Sequence, residues 1–166
     1  MHAHDILMYG HRTVLHAVAD LPEADWLTSG VCGWWSVKDI LAHLASFEHV
    51  LEELLDHLVD PAAPIPTLEQ FQLTRGDPFN ALQVELRSPF SVQQVLDEYT
   101  HVHEQTLERL EGVSGETLRR VGTLPWYGQQ YSLDDFIVYA FYGHKREHSA
   151  QIAVFRDRGV CFAGTL

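Results

Sequence analysis

Three helix starts, each led by a serine, constrain the fold of this chain more than any other feature of its sequence. Ser36, Ser91 and Ser132 are each followed three residues later by an acid or an amide, and each stands between apolar residues. In a capping box of this kind the serine hydroxyl accepts a hydrogen bond from an unpaired amide of the first turn, and the third residue reaches back to the serine. The sequence therefore predicts that a helix begins at each serine.

The residues behind these starts are apolar at helical spacing, which predicts that each helix buries one face. The face predicted after Ser36 contains Val37, Ile40, Leu41, Leu44, Phe47, Leu51, Leu54, Leu55 and Leu58. A similar stripe follows Ser91, and another follows Ser132 with an expected helix end at Gly159. A less regular stripe predicts a first helix over roughly residues 5–20.

Residues 60–90 connect the second and third predicted helices and contain five prolines, too many for a continuous helix. No segment shows a useful length of the apolar and polar alternation that is typical of a strand. Amphipathic helices bury their stripes against one another, and four of them form a bundle. We therefore predict an all-α fold, a four-helix bundle with a long irregular connection between helices 2 and 3. The length suits one domain, so residues 1–166 are expected to form a single domain.

The charge of the chain narrows the range of its partners. Asp and Glu number 23 against 11 Lys and Arg, which gives a net charge of −12. Nucleic acids and anionic membranes are poor partners for such a surface, because phosphate groups are bound through Lys and Arg. The sequence has no apolar run of membrane-spanning length and does not begin like a secretory leader. We expect a cytoplasmic protein whose two cysteines, Cys32 and Cys161, are free thiols.

Eleven histidines are present, and two of them fall on the predicted buried face of the last helix. His144 and His148 are four residues apart and therefore stack one turn apart on that face. Two imidazoles in an apolar core need partners, and one shared metal ion satisfies both, although a hydrogen-bonded core pair is the alternative. His43 lies at the edge of the second-helix stripe, and metal sites in bundles are built from inward residues on facing helices.

Two segments resemble the helical signatures of the DinB/YfiT-like superfamily. The first is the stretch 34–44, WWSVKDILAHL, and the second is the stretch 144–152, HKREHSAQI. The dipeptide Phe79-Asn80, followed by the Ser91 helix, is similar to the middle segment of that family. The resemblance implies a four-helix bundle, frequently a homodimer, with a metal bound by three histidines. Carried over to this chain, the ligands are His43, His144 and His148.

Three imidazoles leave coordination positions open, as in a catalytic rather than a structural metal site. One divalent ion is expected, and Zn, Ni, Fe and Mn all accept imidazole ligands. The resemblance implies a metal-dependent hydrolase, or a transferase that uses a low-molecular-weight thiol, acting on a small organic substrate. The alternative is a non-catalytic small-molecule-binding or stress-related bundle that requires no metal. No residue is assigned as the general base.

Four further residues are candidates for the surroundings of the metal. Glu48 lies close to an apolar face and is a candidate acceptor for a ligating histidine, or else a paired carboxylate. His11 is a candidate ligand or pocket acid, or else a hydrogen-bonded core residue. Trp35 and Trp126 precede helices and are candidates for an aromatic pocket, or else for core packing. Lys145 is expected to point outward.

Overall fold

The regular structure of residues 2–163 is helical. The computed structural model describes residues 2–163, with side chains as far as residue 158. In chain order its helices are α1 (Ala3–Val18), α2 (Glu23–Trp26), α3 (Val37–Val59), α4 (Pro66–Thr74), α5 (Gly76–Leu86), α6 (Val92–Glu111), α7 (Gly115–Arg119), α8 (Leu133–Ile137), a π-helical turn (Val138–Gly143) and α9 (His144–Ala163). The predicted all-α class is confirmed. Within residues 2–163, no helix combines the length and the apolar character needed to cross a bilayer.

The three predicted capping boxes are present. The Ser36 hydroxyl accepts from the amide of Asp39 at 3.2 Å, and the Asp39 carboxylate accepts from the amide of Ser36 at 2.9 Å. Ser91 and Ser132 form the same reciprocal pair with the residue three positions on, and so start α6 and α8. Each box satisfies amides that the helix itself leaves unpaired, which is why these starts could be predicted locally.

The connection between α3 and α6 differs from the irregular segment that its prolines predict. It contains α4 and α5, which are joined through Arg75. Pro66 is the first residue of α4, and Pro78 lies in the first turn of α5. A proline in the first turn lacks an amide that would have no partner within the helix anyway. These two prolines therefore lie in the first turns of helices and do not interrupt them.

The last long helix is not uniform. Residues Val138–Gly143 form a π-helical turn between α8 and α9, and this turn ends directly before His144. A π-helical turn accommodates additional chain length without ending the helix. The π-helical turn therefore sets the face on which the side chains of α9 emerge. The backbone of α9 continues past Gly159, the predicted end, to Ala163.

Packing places α3 at the centre of the fold. It packs chiefly on α6, whereas α9 packs chiefly on α1. Leu41 and Leu44 of α3 belong to one buried cluster, and Leu51 and Leu54 belong to another. Each fully buried leucine contributes roughly 1.5–3 kcal/mol through removal of its surface from water. His43 lies on α3 near the point where one cluster gives way to the other.

Candidate metal centre

Three histidines from two helices converge on one point. His43 comes from α3, and His144 and His148 come from the first two turns of α9. The Nε2 atoms of His43 and His144 are 2.8 Å apart, and those of His144 and His148 are 3.0 Å apart. One ring nitrogen from each residue lies within 4.8 Å of the others. The structure therefore brings together all three residues that the sequence predicts as ligands.

The second ring nitrogens have different surroundings. Nδ1 of His148 lies 2.8 Å from Oε1 of Gln151, which accepts a hydrogen bond from the Nδ1–H group and so leaves the free lone pair on Nε2. Nδ1 of His43 has no hydrogen-bond partner among the described residues. The His43 ring is instead held between Trp35 and Phe47, whose ring centroids each lie 4.9 Å from its own. Sequence reasoning missed Gln151, although it stands three residues after a candidate ligand.

Burial keeps the three imidazoles neutral. Burial, together with the neighbouring His144 and His148 rings, lowers the pKa of His43 to about 2. Burial also lowers the pKa of His144 to about 3, with His148 and Lys145 acting in the same direction. The pKa of His148 is lowered by burial, against an opposing hydrogen bond to Gln151. Neutral rings have the lone pairs that a metal ion requires.

The donor set fits a divalent ion. Imidazole nitrogens bind zinc at about 2.0–2.1 Å in a tetrahedral arrangement, so two of them on one ion are about 3.3–3.4 Å apart. The separations of 2.8 and 3.0 Å are a few tenths of an ångström shorter, so small movements of the rings would accommodate an ion. A neutral imidazole carries one N–H, and His148 donates it from Nδ1 to Gln151, so its Nε2 presents a lone pair toward Nε2 of His144. Three such ring nitrogens at one point can share a cation, and the triad fits a metal-binding protein.

An open cavity of about 530 Å³ reaches the triad. Besides the three histidines, it is lined by Cys32, Gly33, Trp34, Trp35, Asp77, Asn80, Ala81 and Glu147. Oδ1 of Asn80 is buried and has no hydrogen-bond partner among the described residues. The contributions from α5 could not be predicted, because the sequence indicated a loop there. A small molecule that enters this cavity reaches the three histidines directly.

A tight turn before α3 presents two tryptophans to this cavity. The amide of Trp35 donates to the carbonyl of Cys32 at 3.0 Å, and the amide of Val31 donates to the carbonyl of Trp35 at 2.9 Å. Gly33 has a φ of 59°, which a glycine adopts without strain. Trp35 lies against His43, whereas the Trp34 side chain is 91% exposed at the cavity mouth.

Trp126 lies elsewhere. Its ring packs edge-on against Phe71 and Phe136, and the Arg75 guanidinium lies over it at 5.7 Å from the ring centroid. These contacts belong to the hydrophobic cluster that also contains Leu51. Trp126 is not among the residues that line the cavity at the triad.

Glu48 and His11 meet in a second buried group, which we call the polar cluster: His11, Glu48, Tyr99, His103 and Lys145. Glu48 is ion-paired with Lys145 and receives a hydrogen bond from Nδ1 of His103 at 3.2 Å. His11 stacks on His103 at a centroid distance of 4.0 Å.

The expectation that Lys145 points outward is wrong, since its side chain is 2% exposed. Its position is four residues after Phe141 and seven before Ile152, both of them buried, and this is the spacing of one helical face. That spacing could have predicted the burial of Lys145. It was not interpreted in this way, because an unpaired lysine is almost never buried.

Comparison with known proteins places the chain in a family. No curated protein and no solved structure matches it significantly. The family model of the DinB superfamily matches residues 8–152, a range that includes His43, His144 and His148. The match extends over most of the chain, and we conclude that the chain belongs to the DinB superfamily.

Proposed function

We propose that this protein is a metal-dependent enzyme that acts on a small organic molecule. The observation that carries the proposal is the convergence of three neutral Nε2 atoms, 2.8 and 3.0 Å apart, at the inner end of an open cavity. His43, His144 and His148 would hold one divalent ion, which is Zn, Ni, Fe or Mn by the chemistry of imidazole ligands. Three protein ligands leave positions for a small molecule, as catalytic sites do.

The ion would act as a Lewis acid and lower the pKa of a bound water or thiol. The residues of the chain supply the rest of the site. Trp35 packs on His43 and holds that ring in place. Asp77 and Glu147 are carboxylates that line the cavity and can accept a proton from a nucleophile. These features support a hydrolase or a transferase that uses a low-molecular-weight thiol.

The domain organisation and the oligomeric state of the protein are part of the same proposal. Residues 1–166 would form a single domain, in which α1, α3, α6 and the helix from Leu133 onward act as a four-helix bundle. The resemblance to the DinB/YfiT-like superfamily supports a homodimer. A dimer is tested by light scattering on the untagged protein, where a single monomeric species would remove this part of the proposal.

Elemental mass spectrometry of the untagged protein is the first test. We expect about one ion per chain in the wild type and none in His144→Ala/His148→Ala. The double variant His16→Ala/His101→Ala is the matched control, because both of its histidines are exposed. It should retain the ion. Protein without metal, even after addition of Zn, Ni, Mn or Fe, would leave a non-catalytic small-molecule-binding bundle as the better account.

Activity is the second test. Metal-loaded protein is screened with hydrolase substrates, and with electrophiles together with low-molecular-weight thiols. Turnover should depend on the ion and disappear in His148→Ala. A variant that has lost its metal and keeps full turnover would remove the metal from the mechanism.

A further inference from the structure

The polar cluster joins the four long helices at one level of the fold. His11 comes from α1, Glu48 from α3, Tyr99 and His103 from α6, and Lys145 from α9. All five side chains are buried, and Glu48 is 0% exposed. Charged groups are rarely buried to this extent unless they are paired. The cluster does not line the cavity at the triad, so substrate binding does not explain it.

The charges within the cluster are matched. Lys145 lies on one oxygen of the Glu48 carboxylate, and Nδ1 of His103 donates to the other. Burial alone would raise the pKa of Glu48, but the Lys145 charge and the His103 hydrogen bond outweigh burial and lower it. The carboxylate is therefore ionised. A buried ion pair of this kind adds little net stability over apolar residues of the same volume, so its presence calls for a further reason.

The ion pair connects the two helices that carry the triad. Glu48 follows His43 by five residues on α3, and Lys145 directly follows His144 on α9. These helices pack mainly on other partners, α3 on α6 and α9 on α1, and their mutual contact is short. The position of α9 relative to α3 therefore depends on a few side chains. The ion pair is the buried electrostatic contact next to the triad in this short interface.

We propose that the Glu48–Lys145 ion pair positions the metal centre by fixing α9 on α3 so that His144 and His148 face His43. Glu48 and Lys145 are positioning residues and contact neither ion nor substrate. His103 orients the Glu48 carboxylate, and His11 supports His103 by stacking on it. This inference rests on the proposed function in one respect, since it takes the triad to be a metal site.

A second ion pair in the same protein provides a matched control. Arg87 and Glu98 are largely buried, with Nη2 and Oε1 2.7 Å apart. This pair ties the end of α5 to α6 and lines a different cavity from the triad. Glu98 also lies 3.0 Å from Nε2 of His49 on α3, so Glu98→Gln removes a comparable charge that contacts α3, and among the described residues it breaks no hydrogen bond or ion pair to α9.

The test compares Glu48→Gln with Glu98→Gln in the full chain. Cobalt(II) is the probe, because its visible absorption reports coordination geometry. We expect Glu48→Gln to weaken cobalt binding by about 10- to 100-fold, as loss of orienting groups around a metal does, and to change the absorption bands. Glu98→Gln should lower thermal stability and keep wild-type affinity and spectrum. Wild-type affinity and spectrum in Glu48→Gln would overturn the inference, and so would an equal loss in both variants.

Two further measurements keep the inference testable. If Glu48→Gln does not fold, Glu48→Met/Lys145→Met removes both charges at similar volume and should fold. This double variant should still bind cobalt weakly, and wild-type binding by it would overturn the inference.

The second measurement needs no metal. In metal-free protein, the ¹H–¹⁵N signals of the imidazole rings of His43, His144 and His148 should shift in Glu48→Gln and not in Glu98→Gln. A wild type that takes up no metal would remove the proposed function, while the positioning role would still be decided by these spectra.

Discussion

The Nε2 atoms of His43 and His144 lie 2.8 Å apart, although 101 positions of sequence separate the two residues. The contact spans α3 and α9, which otherwise share only a short interface. Both rings are buried, and burial lowers the pKa of each to about 2 and about 3, respectively. Two neutral rings with facing nitrogens form a site whose geometry depends on the exact placement of α9.

Gln151 should strengthen metal binding through His148. Its Oε1 atom lies 2.8 Å from Nδ1 of His148, so it fixes the ring and its tautomer. We expect Gln151→Ala to weaken metal binding by about 10- to 100-fold, and Gln151→Glu to retain it because a carboxylate also accepts the hydrogen bond from Nδ1 of His148. The exposed Gln93 on α6 is the control, and Gln93→Ala should leave affinity unchanged. Competition titration with a chelator measures the affinities, and wild-type affinity in Gln151→Ala would contradict the prediction.

His11 should make the metal-free protein sensitive to acid. Burial, then the charges of His103 and Lys145, lower the pKa of His11 from 6.5 to about 3, with Glu48 opposing them. Above pH 6.5 the ring is neutral in both the folded and the unfolded chain. Below that pH the unfolded chain takes up a proton that the folded chain does not, so the free energy of unfolding falls by about 1.4 kcal/mol per pH unit until the pH nears 3.

His11→Phe tests this contribution, because it keeps an aromatic ring stacked on His103 and Tyr99. Chemical unfolding between pH 6 and pH 4 should show a slope of stability against pH that is smaller by about one proton. Val14→Ala, at a buried position of the same helix, lowers stability without removing a titrating group and should leave the slope unchanged. If His11→Phe leaves the slope of stability against pH unchanged, His11 has the same pKa in the folded and the unfolded chain.

The two neighbouring tryptophans should differ in their effects. Trp35 packs on His43, whose Nδ1 has no hydrogen-bond partner among the described residues. Trp35→Ala is therefore expected to free the His43 ring and weaken metal binding by about tenfold. Trp34, at 91% exposure, contributes little packing, and Trp34→Ala should change the free energy of unfolding by less than about 0.5 kcal/mol without altering metal affinity. Equal metal affinities in the two variants would show that Trp35 does not hold the His43 ring in place.

The π-helical turn should absorb the loss of one residue but not the addition of one. Each residue of a regular α-helix adds about 100° of rotation, and a π-helical turn takes up additional chain length before His144. Deletion of Tyr139, which is 66% exposed, should therefore give a continuous α-helix that still directs His144 and His148 to His43. Insertion of an alanine after Tyr139 should rotate α9 and abolish metal binding. Circular dichroism checks helix content, and cobalt titration checks the site; loss of binding on deletion would be the contrary result.

Local interactions explain what could be predicted. The starts of α3, α6 and α8 follow from hydrogen bonds that reach only three residues, as between Ser36 and Asp39. The shared face of His144 and His148 follows from their four-residue spacing. The choice of His43 as the third ligand depended on the resemblance of two short segments to a family, which the match over residues 8–152 supports.

The sequence by itself thus determined an all-helical chain, its main helix starts and three histidines that fit a metal site. The tertiary structure alone decided which charges are buried together. Glu48 and Lys145 pair across two helices, and each is unfavourable in a core until the other is present, so the apolar spacing around each residue could not show that the two are paired. The same holds for Asn80, which reaches the cavity only because α5 folds against α3. Capping acts within one turn of helix, whereas burial of a charge depends on a partner that the fold brings from elsewhere in the chain.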